Sequence, residues 1–403
     1  MKILHTADWH IGKILHKHPL YEEMDRYFEF LLETIKKEKI DLLLVSGDIF
    51  DSSNPGIRDK KLYFDTIIKL YQANIRVVIT GGNHDSIGEL NAPKQVLSAI
   101  NTTVVGGAPE NIEDQIIEIT NDKNDIAVVV LAVPFLRDRD LRRDQLDKTY
   151  EDRTAAIKAG IKDHYHNLAD ICEKKYKAYP VIAMGHLFAE GASTSESERD
   201  IHVGNQAAVK STIFPPTFDY VALGHIHRPQ LVAKQEHIRY SGSPIALSFS
   251  EKGDKKSMEI IEIKDAKVKS IKQIDIPKYR SLISISGSLD VVEEKLRKFS
   301  TEDPLPTFLE LKIKEETFSA LTIAKVEELV SSYQEKESLK ILKHQTNFEK
   351  GQQDTASLFQ TGLSIEDISP KEVFKKRLEA EKLEKEKQTM LLDAFQELLE
   401  ETE

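Results

Sequence analysis

The sequence predicts a mixed α/β fold, because two kinds of segment alternate along the first part of its 403 residues. Short apolar runs bounded by turn residues indicate buried strands. Between several of these runs lie stretches whose apolar residues recur at helical spacing. Strands that alternate with helices favour an α/β domain, and a later series of closely spaced strands favours sheets that also contain antiparallel pairs. A chain of this length is expected to form two to three domains.

Six apolar runs predict the strands of the first domain, which we place at residues 1–276. These strands are expected at residues 3–4, 42–45, 75–79, 128–133, 181–184 and 220–223. Helical patterns at residues 27–35 and 62–71 should each place their apolar side chains on one stripe. From residue 238 to residue 276 the pattern predicts consecutive antiparallel strands, with a polar turn at Asp265 and Lys267.

The rest of the chain predicts a small domain, a linker and a C-terminal helical segment. Residues 277–345 show strand and helix patterns on a smaller scale, which is typical of an α+β module. Residues 346–369 are polar and are expected to form a linker. Ser369 and Glu372 flank Pro370 as in a capping box, so a helix should begin there. Its last part carries an apolar stripe that comprises Leu391, Leu392, Phe395, Leu398 and Leu399. This stripe is expected to bind a partner, and docking on the chain's own core is the alternative.

Composition excludes several classes of protein. Lys and Arg number 56 against 67 Asp and Glu, a net charge of −11, so the surface as a whole repels nucleic acid, and such a partner must meet a local basic strip. Cys172 is the single cysteine, which excludes a disulfide framework and a thiolate metal site. The apolar runs are too short to span a membrane, and the N-terminus does not resemble a signal peptide. We therefore expect a cytoplasmic protein.

The residues with metal-binding chemistry follow the predicted strands at their carboxyl ends. They are Asp8, His10, Asp48, Asn83, His84, His186, His225 and His227. Ligands of α/β sheets gather at this edge, so separate strand ends can direct several side chains to one centre. The glycines at 47, 82, 185 and 224, each directly before one of these residues, are expected to let the backbone turn sharply.

The donor set predicts two metal ions. Carboxylate and amide oxygens together with imidazole nitrogens are too many donors for one tetrahedral ion, and they suit two ions that share a carboxylate. Oxygen and nitrogen donors without sulfur favour Mn, Fe or Zn. A pair of such ions could clamp a phosphoryl group between them.

The motifs resemble the calcineurin-like metallophosphoesterase superfamily. They are Asp8-x-His10, Gly47-Asp48-x-x-Asp51, Gly82-Asn83-His84-Asp85, Gly185-His186 and Gly224-His225-x-His227. Three further segments are similar to SbcD-type nuclease subunits of bacterial SbcCD complexes, which are related to the double-strand-break-repair nucleases of archaea and eukaryotes. These segments are residues 6–12, 193–196 and 240–244. The resemblance implies two packed mixed sheets flanked by helices, with the small module as a capping domain.

The resemblance also implies a role for each site residue. One ion would be held by Asp8, His10 and His227, the other by Asn83, His186 and His225, and Asp48 would bridge them. The free side chain of His84 would contact the scissile phosphate, either stabilising charge or protonating the leaving oxygen. Asp51 takes the place of a histidine found in archaeal relatives, which leaves the balance of exonuclease and endonuclease activity open.

The residues flanking the ligands allow two interpretations each. Lys13 and His16 could form a positive lip that binds DNA phosphates, or an ordinary solvated loop. Asp51 and Asp85 are expected to stabilise turns. Trp9 should pack behind the site, because its neighbours must face inward. The basic cluster at residues 137–143 contains interleaved acidic residues and is expected to pair internally.

The function implied by the resemblance is that of a DNA nuclease with two divalent ions, Mn²⁺ being expected. It includes 3′-to-5′ exonuclease activity on duplex DNA and endonuclease activity on single strands and hairpins, in DNA end processing, repair and recombination. The implied partners are an SbcC-type ATPase, whose coiled coil the C-terminal helices would grip, and a second copy of the chain. Two alternatives stay open, a phosphodiesterase for small nucleotides and a scaffolding protein without catalysis.

Overall fold

The computed structural model describes residues 1–121, 123–141, 149–201, 208–333 and 336–350, together with residues 378, 387, 391, 392 and 395. The chain divides into two compact units. The first comprises residues 1–284, 300–310 and 333–343, and the second residues 285–299, 311–332 and 344–403.

Helices separate several of the first ten strands, whereas the first three strands, and the seventh and eighth, follow one another directly. The strands are β1 (Lys2–Thr6), β2 (Ile14–Leu15), β3 (His18–Pro19), β4 (Leu42–Ser46), β5 (Arg76–Thr80), β6 (Thr102–Val105), β7 (Ile116–Thr120), β8 (Ile126–Leu131), β9 (Val181–His186), β10 (Tyr220–Gly224), β11 (Gln230–Val232), β12 (Gln235–Tyr240), β13 (Ser257–Lys264), β14 (Lys267–Asp275), β15 (Leu282–Gly287), β16 (Thr307–Thr317) and β17 (Leu339–Lys350). The α-helices are α1 (Tyr21–Glu38), α2 (Ile57–Gln72), α3 (Ile87–Asn91), α4 (Lys94–Ser98), α5 (Asp138–Leu141), α6 (Tyr150–Lys175), α7 (Leu289–Arg297) and α8 (Ala320–Ser332).

Two six-stranded mixed sheets form the first unit. In the first sheet the order is β14-β13-β1-β4-β5-β6. Strands β1, β4, β5 and β6 are parallel to one another, and β13 is antiparallel to both of its neighbours, β1 and β14. In the second the order is β11-β12-β10-β9-β8-β7, with the four central strands parallel and both edge strands antiparallel. The remaining sheets are β15-β16-β17 and the small pair β2-β3. These sheets confirm the predicted mixed α/β class.

Alternating residues of the central strands are buried on opposite faces. In β4, Leu42 and Leu44 belong to an apolar layer that also contains Ile182 and Met184 of the second sheet. Leu43 and Val45 belong instead to the core that includes apolar residues of α1 and α2. On the far side of the second sheet, α6 covers a third apolar layer. Burial on both faces explains why these strands are continuous apolar runs in the sequence.

The structure corrects three expectations. The strand near residue 238 is β12, which pairs parallel to β10 in the second sheet, whereas β13 and β14 form the expected antiparallel hairpin around Asp265 and Ala266. Helix α2 does not have one apolar stripe: Ile67 is buried while Phe64 and Ile68 are exposed, because the helix has two apolar faces. Strand β17 continues to Lys350, so residues 346–350 of the expected linker are strand.

The tail expected to bind a partner lies largely outside the described residues. Of its apolar stripe, the structure describes Leu391, Leu392 and Phe395 as helical, with Leu391 exposed. The remainder of the linker, residues 351–369, and Leu398 and Leu399 are outside the described range. The proposed domain boundaries at 276, 345 and 369 therefore stay predictions.

Candidate metal centre

Five strand ends from the two sheets converge on one cluster of polar side chains. Asp8 and His10 follow β1, Asp48 follows β4, and Asn83 and His84 follow β5 in the first sheet. His186 ends β9, and His225 and His227 follow β10 in the second sheet. The seven predicted ligands thus meet across the two sheets, as the sequence predicted from the common edge of parallel strands.

The loops that carry the ligands adopt backbone conformations that non-glycine residues rarely take. Asp8, His10, Asp48 and His225 have φ angles of 53°, 46°, 49° and 95°. Such strained residues persist when the surrounding structure fixes them, and they concentrate at functional sites. Two backbone bonds fix the first pair: the Asp8 N–H donates to the Gly47 carbonyl at 3.1 Å, and the His10 N–H donates to the Asp48 carbonyl at 3.0 Å.

The glycines before the ligands serve mainly to leave space. Of the four, only Gly47 has a positive φ, 82°. A Cβ at Gly82 would lie 2.1 Å from Asp48 Oδ1, and one at Gly224 would lie 1.8 Å from the Ser46 carbonyl oxygen. The expectation of four sharp turns was therefore wrong for three of these glycines. Each of the three leaves no room for a side chain, because a Cβ would meet Asp48 at Gly82, the Tyr165 side chain of α6 at Gly185 and the Ser46 carbonyl of β4 at Gly224.

Four predicted ligands form one compact group. Donor atoms of Asp8, His10, Asp48 and His227 all lie within 4.8 Å of one another. The Nε2 atoms of His10 and His227 are 3.0 Å apart. His10 Nδ1 faces a carboxylate oxygen of Asp51 at 3.1 Å, so it carries the proton. His227 Nδ1 lies 2.6 Å from Ser197 Oγ, whose own hydroxyl donates to Glu251.

This arrangement fits a cation. When each ring carries its proton on Nδ1, as it does in a neutral imidazole whose Nδ1 donates, an Nε2 lone pair of each ring is directed toward the other ring. Two facing lone pairs repel unless a proton or a metal ion lies between them. In addition, Asp8 Oδ2 is buried and has no hydrogen-bond partner among the described residues. A buried carboxylate oxygen of this kind is expected to be satisfied by an ion or a water molecule.

The other predicted ligands form a second group around Asn83. Its Oδ1 lies 2.9 Å from His186 Nε2 and 3.2 Å from His225 Nδ1. His186 Nδ1 donates to the Ser46 carbonyl at 3.0 Å, which directs Nε2 into the cluster. Asp48 Oδ2 is 3.5 Å from His10 Nε2 and 3.4 Å from His186 Nε2, so this oxygen lies between the two groups.

A second possible triad contains His10, Asp51 and His84. The Nδ1 atoms of its two histidines are already engaged, since His10 Nδ1 bonds the Asp51 carboxylate and His84 Nδ1 bonds the Asp51 carbonyl at 2.8 Å. In the first group, the Nε2 atoms of His10 and His227 and Asp8 Oδ2 are available to an ion. In the triad, the histidine nitrogens nearest Asp51 are used in hydrogen bonds. The first group is therefore the better metal site.

Burial and neighbouring charges shift the pKa values of three proposed ligands, Asp8, Asp48 and His186. Burial raises the pKa of Asp8 well above its usual value. Burial also acts to raise the pKa of Asp48, but the imidazoles of His186, His84 and His10 lower it well below its usual range. Burial acts to lower the pKa of His186, but the carboxylates of Asp48 and Asp8 raise it to about 9. A metal ion bound by His186 would take the place of the ring proton that these carboxylates favour.

His84 lies beside the centre with a free ring nitrogen. Its backbone N–H donates to Asp48 Oδ1 at 2.9 Å, and its Nδ1 donates to the Asp51 carbonyl. Its Nε2 is 4.0 Å from Asp48 Oδ2 and faces the cluster. Burial lowers the pKa of His84 to about 4. The neutral ring thus presents a proton acceptor at Nε2.

Asp85 and Trp9 have the expected structural positions. The Asp85 carboxylate accepts the N–H groups of Ile49, Phe50 and Gly82 at 3.1, 3.0 and 2.8 Å. Burial, together with the charge of Asp48, raises the pKa of Asp85 to about 6. Trp9 is fully buried and packs edge-on against Phe28.

Of the two basic residues next to the centre, Lys13 forms an ion pair and His16 does not form one among the described residues. Lys13 Nζ pairs with Asp51 Oδ1 at 3.2 Å, and His16 is exposed with its ring near Phe249. Their role in binding phosphate stays a prediction. In the cluster at residues 137–143, Arg137 donates to the Asp85 carbonyl at 3.1 Å, while residues 142 and 143 lie outside the described range.

Sequence analysis missed a set of polar residues behind His227. Glu198 accepts the His227 backbone N–H at 2.9 Å, and Ser197 and Lys256 contact other atoms of the same histidine. Glu251 accepts hydrogen bonds from both Ser197 and Lys256. These residues come from separate parts of the chain. No local motif joins them, although residues 193–196, quoted for the resemblance, directly precede two of them.

Comparison with known proteins assigns the family. The family model for calcineurin-like phosphoesterases matches residues 1–229, and that described as the type 5 capsule protein repressor C-terminal domain matches residues 278–382. The SbcD component of the SbcCD nuclease of Escherichia coli K12 is 32% identical over 98% of this chain and 97% of its own length. The chain belongs to the SbcD family. The SbcD protein of Rhodobacter capsulatus is 35% identical over 65% of this chain and 66% of its own, and that of Bacillus subtilis is 32% identical over 66% of each.

The comparisons bear out the resemblance stated from the motifs. As an SbcD-type chain it has a calcineurin-like phosphoesterase domain in which the described residues include a group suited to a divalent metal. Within the described part of the chain, no helix has the length and apolar character that a membrane crossing requires.

Proposed function

We propose that this chain is the catalytic component of a DNA nuclease that hydrolyses phosphodiester bonds with two divalent metal ions. The observation that carries the proposal is the convergence of seven metal-binding side chains from five strand ends, with Asp48 between the two groups. Relatives that align over nearly the whole chain are named as components of a nuclease, which supports DNA as the substrate.

The ligands divide between two ions. One ion would be held by Asp8, His10 and His227, the other by Asn83, His186 and His225, with Asp48 shared. When bound, two such ions neutralise phosphate charge and activate water. We propose Mn²⁺, since carboxylate and amide oxygens suit this ion and the two groups contain no thiolate, although Fe and Zn accept the same donors.

His84 is placed to act on the leaving group. The Asp51 carbonyl fixes the His84 ring with Nε2 toward the cluster. A phosphate bound there would bring negative charge close to Nε2 and would favour its protonation. The protonated ring could then donate to a phosphate oxygen or to the leaving oxygen.

The test is cleavage of end-labelled linear duplex, single-stranded and hairpin DNA by the purified chain with Mn²⁺, with and without an SbcC-type ATPase and ATP. We expect 3′-to-5′ exonuclease products on duplex ends and endonuclease products on single strands and hairpins. Asp48→Ala should abolish cleavage and reduce metal occupancy. His84→Ala should abolish cleavage and leave metal occupancy unchanged, because its ring is outside both ligand groups.

Matched controls are Asp163→Ala, at an exposed position of α6, and His237→Ala, on β12 away from the centre. Both should cleave like the wild type. If the chain hydrolyses cyclic nucleotides but does not cleave DNA, it is instead a phosphodiesterase for small substrates. Normal DNA cleavage by the Asp48 variant would disprove the site.

The proposed assembly is a homodimer that acts with an SbcC-type ATPase in the cytoplasm, in DNA end processing, repair and recombination. An exposed stripe on α2 supports the dimer: Ile57 is 90% exposed, Phe64 37%, Ile68 47% and Tyr71 45%. Exposed apolar patches commonly mark protein interfaces.

The C-terminal segment is the proposed site for the ATPase. Its apolar stripe includes Leu391, which is 40% exposed. Deletion of residues 371–403 should abolish binding of an SbcC-type ATPase in a pull-down and leave Mn²⁺ binding intact, because the proposed ligands lie before residue 230. Undiminished ATPase binding by the truncated chain would place the interface elsewhere.

A further inference from the structure

A closed ring of polar contacts surrounds His227 on the side away from the metal centre. His227 Nδ1 lies 2.6 Å from Ser197 Oγ, and the Ser197 hydroxyl donates to Glu251 Oε1. The other oxygen of Glu251 accepts from Lys256 Nζ at 2.5 Å. Lys256 Nζ also donates to the carbonyl oxygen of His227 at 2.9 Å. The ring thus begins at the imidazole of His227 and ends at its backbone.

Each hydrogen bond of the ring has a defined donor and a defined acceptor. Lys256 has donors only, and the ionised Glu251 has acceptors only. The Ser197 hydroxyl gives its single proton to Glu251, so toward His227 it can act only as an acceptor. His227 Nδ1 must then carry the proton, which leaves Nε2 as the nitrogen with a free lone pair. This is the nitrogen that faces His10 Nε2 at 3.0 Å.

The two charged side chains of the ring, Glu251 and Lys256, are buried and hydrogen-bonded. Glu251 is 1% exposed and Lys256 8% exposed. Besides His227 and Glu251, Lys256 Nζ donates to Ser243 Oγ at 2.9 Å, so all three of its protons are used. Glu251 Oε2 also accepts the Leu247 N–H at 3.2 Å. Removing either charge would leave the other buried without a partner, which is costly.

We propose that Ser197, Glu251 and Lys256 are positioning residues that fix the tautomer and orientation of His227, so that its Nε2 binds the metal ion. The inference rests on the proposed function only in taking His227 as a metal ligand. A histidine that binds a metal commonly donates its other ring proton to a carboxylate or a carbonyl, and losing that partner typically weakens metal binding about 10- to 100-fold. Here a serine hydroxyl relays the contact to the carboxylate.

The experiment is calorimetric titration of the full-length, metal-free chain with Mn²⁺. Ser197→Ala removes the acceptor of the His227 proton, whereas Ser197→Thr keeps a hydroxyl. We expect Ser197→Ala to weaken binding of one ion about 10- to 100-fold, and Ser197→Thr to restore most of the affinity. Ser98→Ala, at an exposed position of α4, is the matched control and should bind like the wild type.

Thermal unfolding of the metal-free variants separates positioning from a structural role. A structural role would lower the melting temperature of metal-free Ser197→Ala and leave its metal affinity unchanged, which would overturn the inference. If wild-type protein itself bound no metal, the proposed function would fail first, so the two failures are distinguishable.

A second measurement uses wild-type protein and does not depend on the folding of any serine variant. Long-range ¹H–¹⁵N correlation spectra of the zinc-loaded, ¹⁵N-histidine-labelled chain report which ring nitrogen of each histidine carries a proton. Loss of a signal in His227→Gln identifies the residue. We expect the His227 proton on Nδ1. A proton on Nε2, with Nδ1 bound to the ion, would overturn the inference.

Discussion

The buried Asp85 carboxylate beside the metal centre accepts hydrogen bonds from the backbone of two loops. Its oxygens accept N–H groups from the loop after β4, at Ile49 and Phe50, and from the loop after β5, at Gly82. These two loops carry Asp48 and Asn83. Asp85 therefore holds two ligand-bearing loops in register without being a predicted ligand itself.

Replacing Asp85 should destabilise the protein. Asp85→Ala would leave three buried N–H groups without acceptors, and an unsatisfied buried donor costs about 1–3 kcal/mol. We expect the free energy of unfolding in urea to fall by roughly 2–4 kcal/mol. Asp163→Ala, at an exposed site, should change it by less than about 0.5 kcal/mol. An equally small effect for Asp85→Ala would show that water satisfies the loops.

At the level of secondary structure, α2 is notable for having apolar residues on two faces. Tyr63, Ile67 and Leu70 are buried in the core, whereas Phe64 and Ile68 are exposed. A helix that only covers a sheet needs one apolar face. The second face is therefore available for a protein partner, and it is the face proposed above for the contact with a second copy of the chain.

A charge on the exposed face of α2 should separate the dimer. Ile68→Glu would place a carboxylate in the proposed interface, where burial without a partner is costly. We expect it to convert a dimer to a monomer in sedimentation or light-scattering measurements. Lys69→Glu introduces the same side chain at an exposed position around the helix and should remain dimeric. A dimer that survives Ile68→Glu would exclude this face as the interface.

In the first unit as a whole, the metal centre joins two sheets. Asp8, His10, Asp48 and Asn83 belong to loops of the first sheet, and His186, His225 and His227 belong to the second. Without an ion, this close approach is opposed by the facing nitrogens of His10 and His227 and by Asp8 Oδ2, which has no hydrogen-bond partner among the described residues. Ions bound by these seven residues should therefore stabilise the contact between the sheets.

Metal binding should raise thermal stability. Mn²⁺ at 100 times its dissociation constant would add about 2.7 kcal/mol to the free energy of unfolding for each such site, because it binds the folded chain only. We expect a higher melting temperature with Mn²⁺ and reversal by a chelator, both measured by calorimetry. Asp48→Ala should lose most of this increase, and Asp163→Ala should keep it. An increase of equal size in both variants would place the ion elsewhere.

The sequence by itself determined the class of fold, the positions of the central strands and the residues that meet at the centre. Strands buried on both faces are continuous apolar runs, and ligands of parallel strands follow their carboxyl ends, so both features are local in the sequence. The type and order of Asp8, His10 and Asp48 likewise needed no structure to indicate a metal site.

The tertiary structure alone decided the features that depend on contacts between distant segments. The second apolar face of α2 became evident only when the buried face was known, since periodicity does not distinguish a core from an interface. Position 82 needs a glycine because the neighbouring loop, which carries Asp48, leaves no space for a Cβ. Ser197, Glu251 and Lys256 come together because folding brings separate segments behind His227, and a contact between distant segments has no local signature in the sequence.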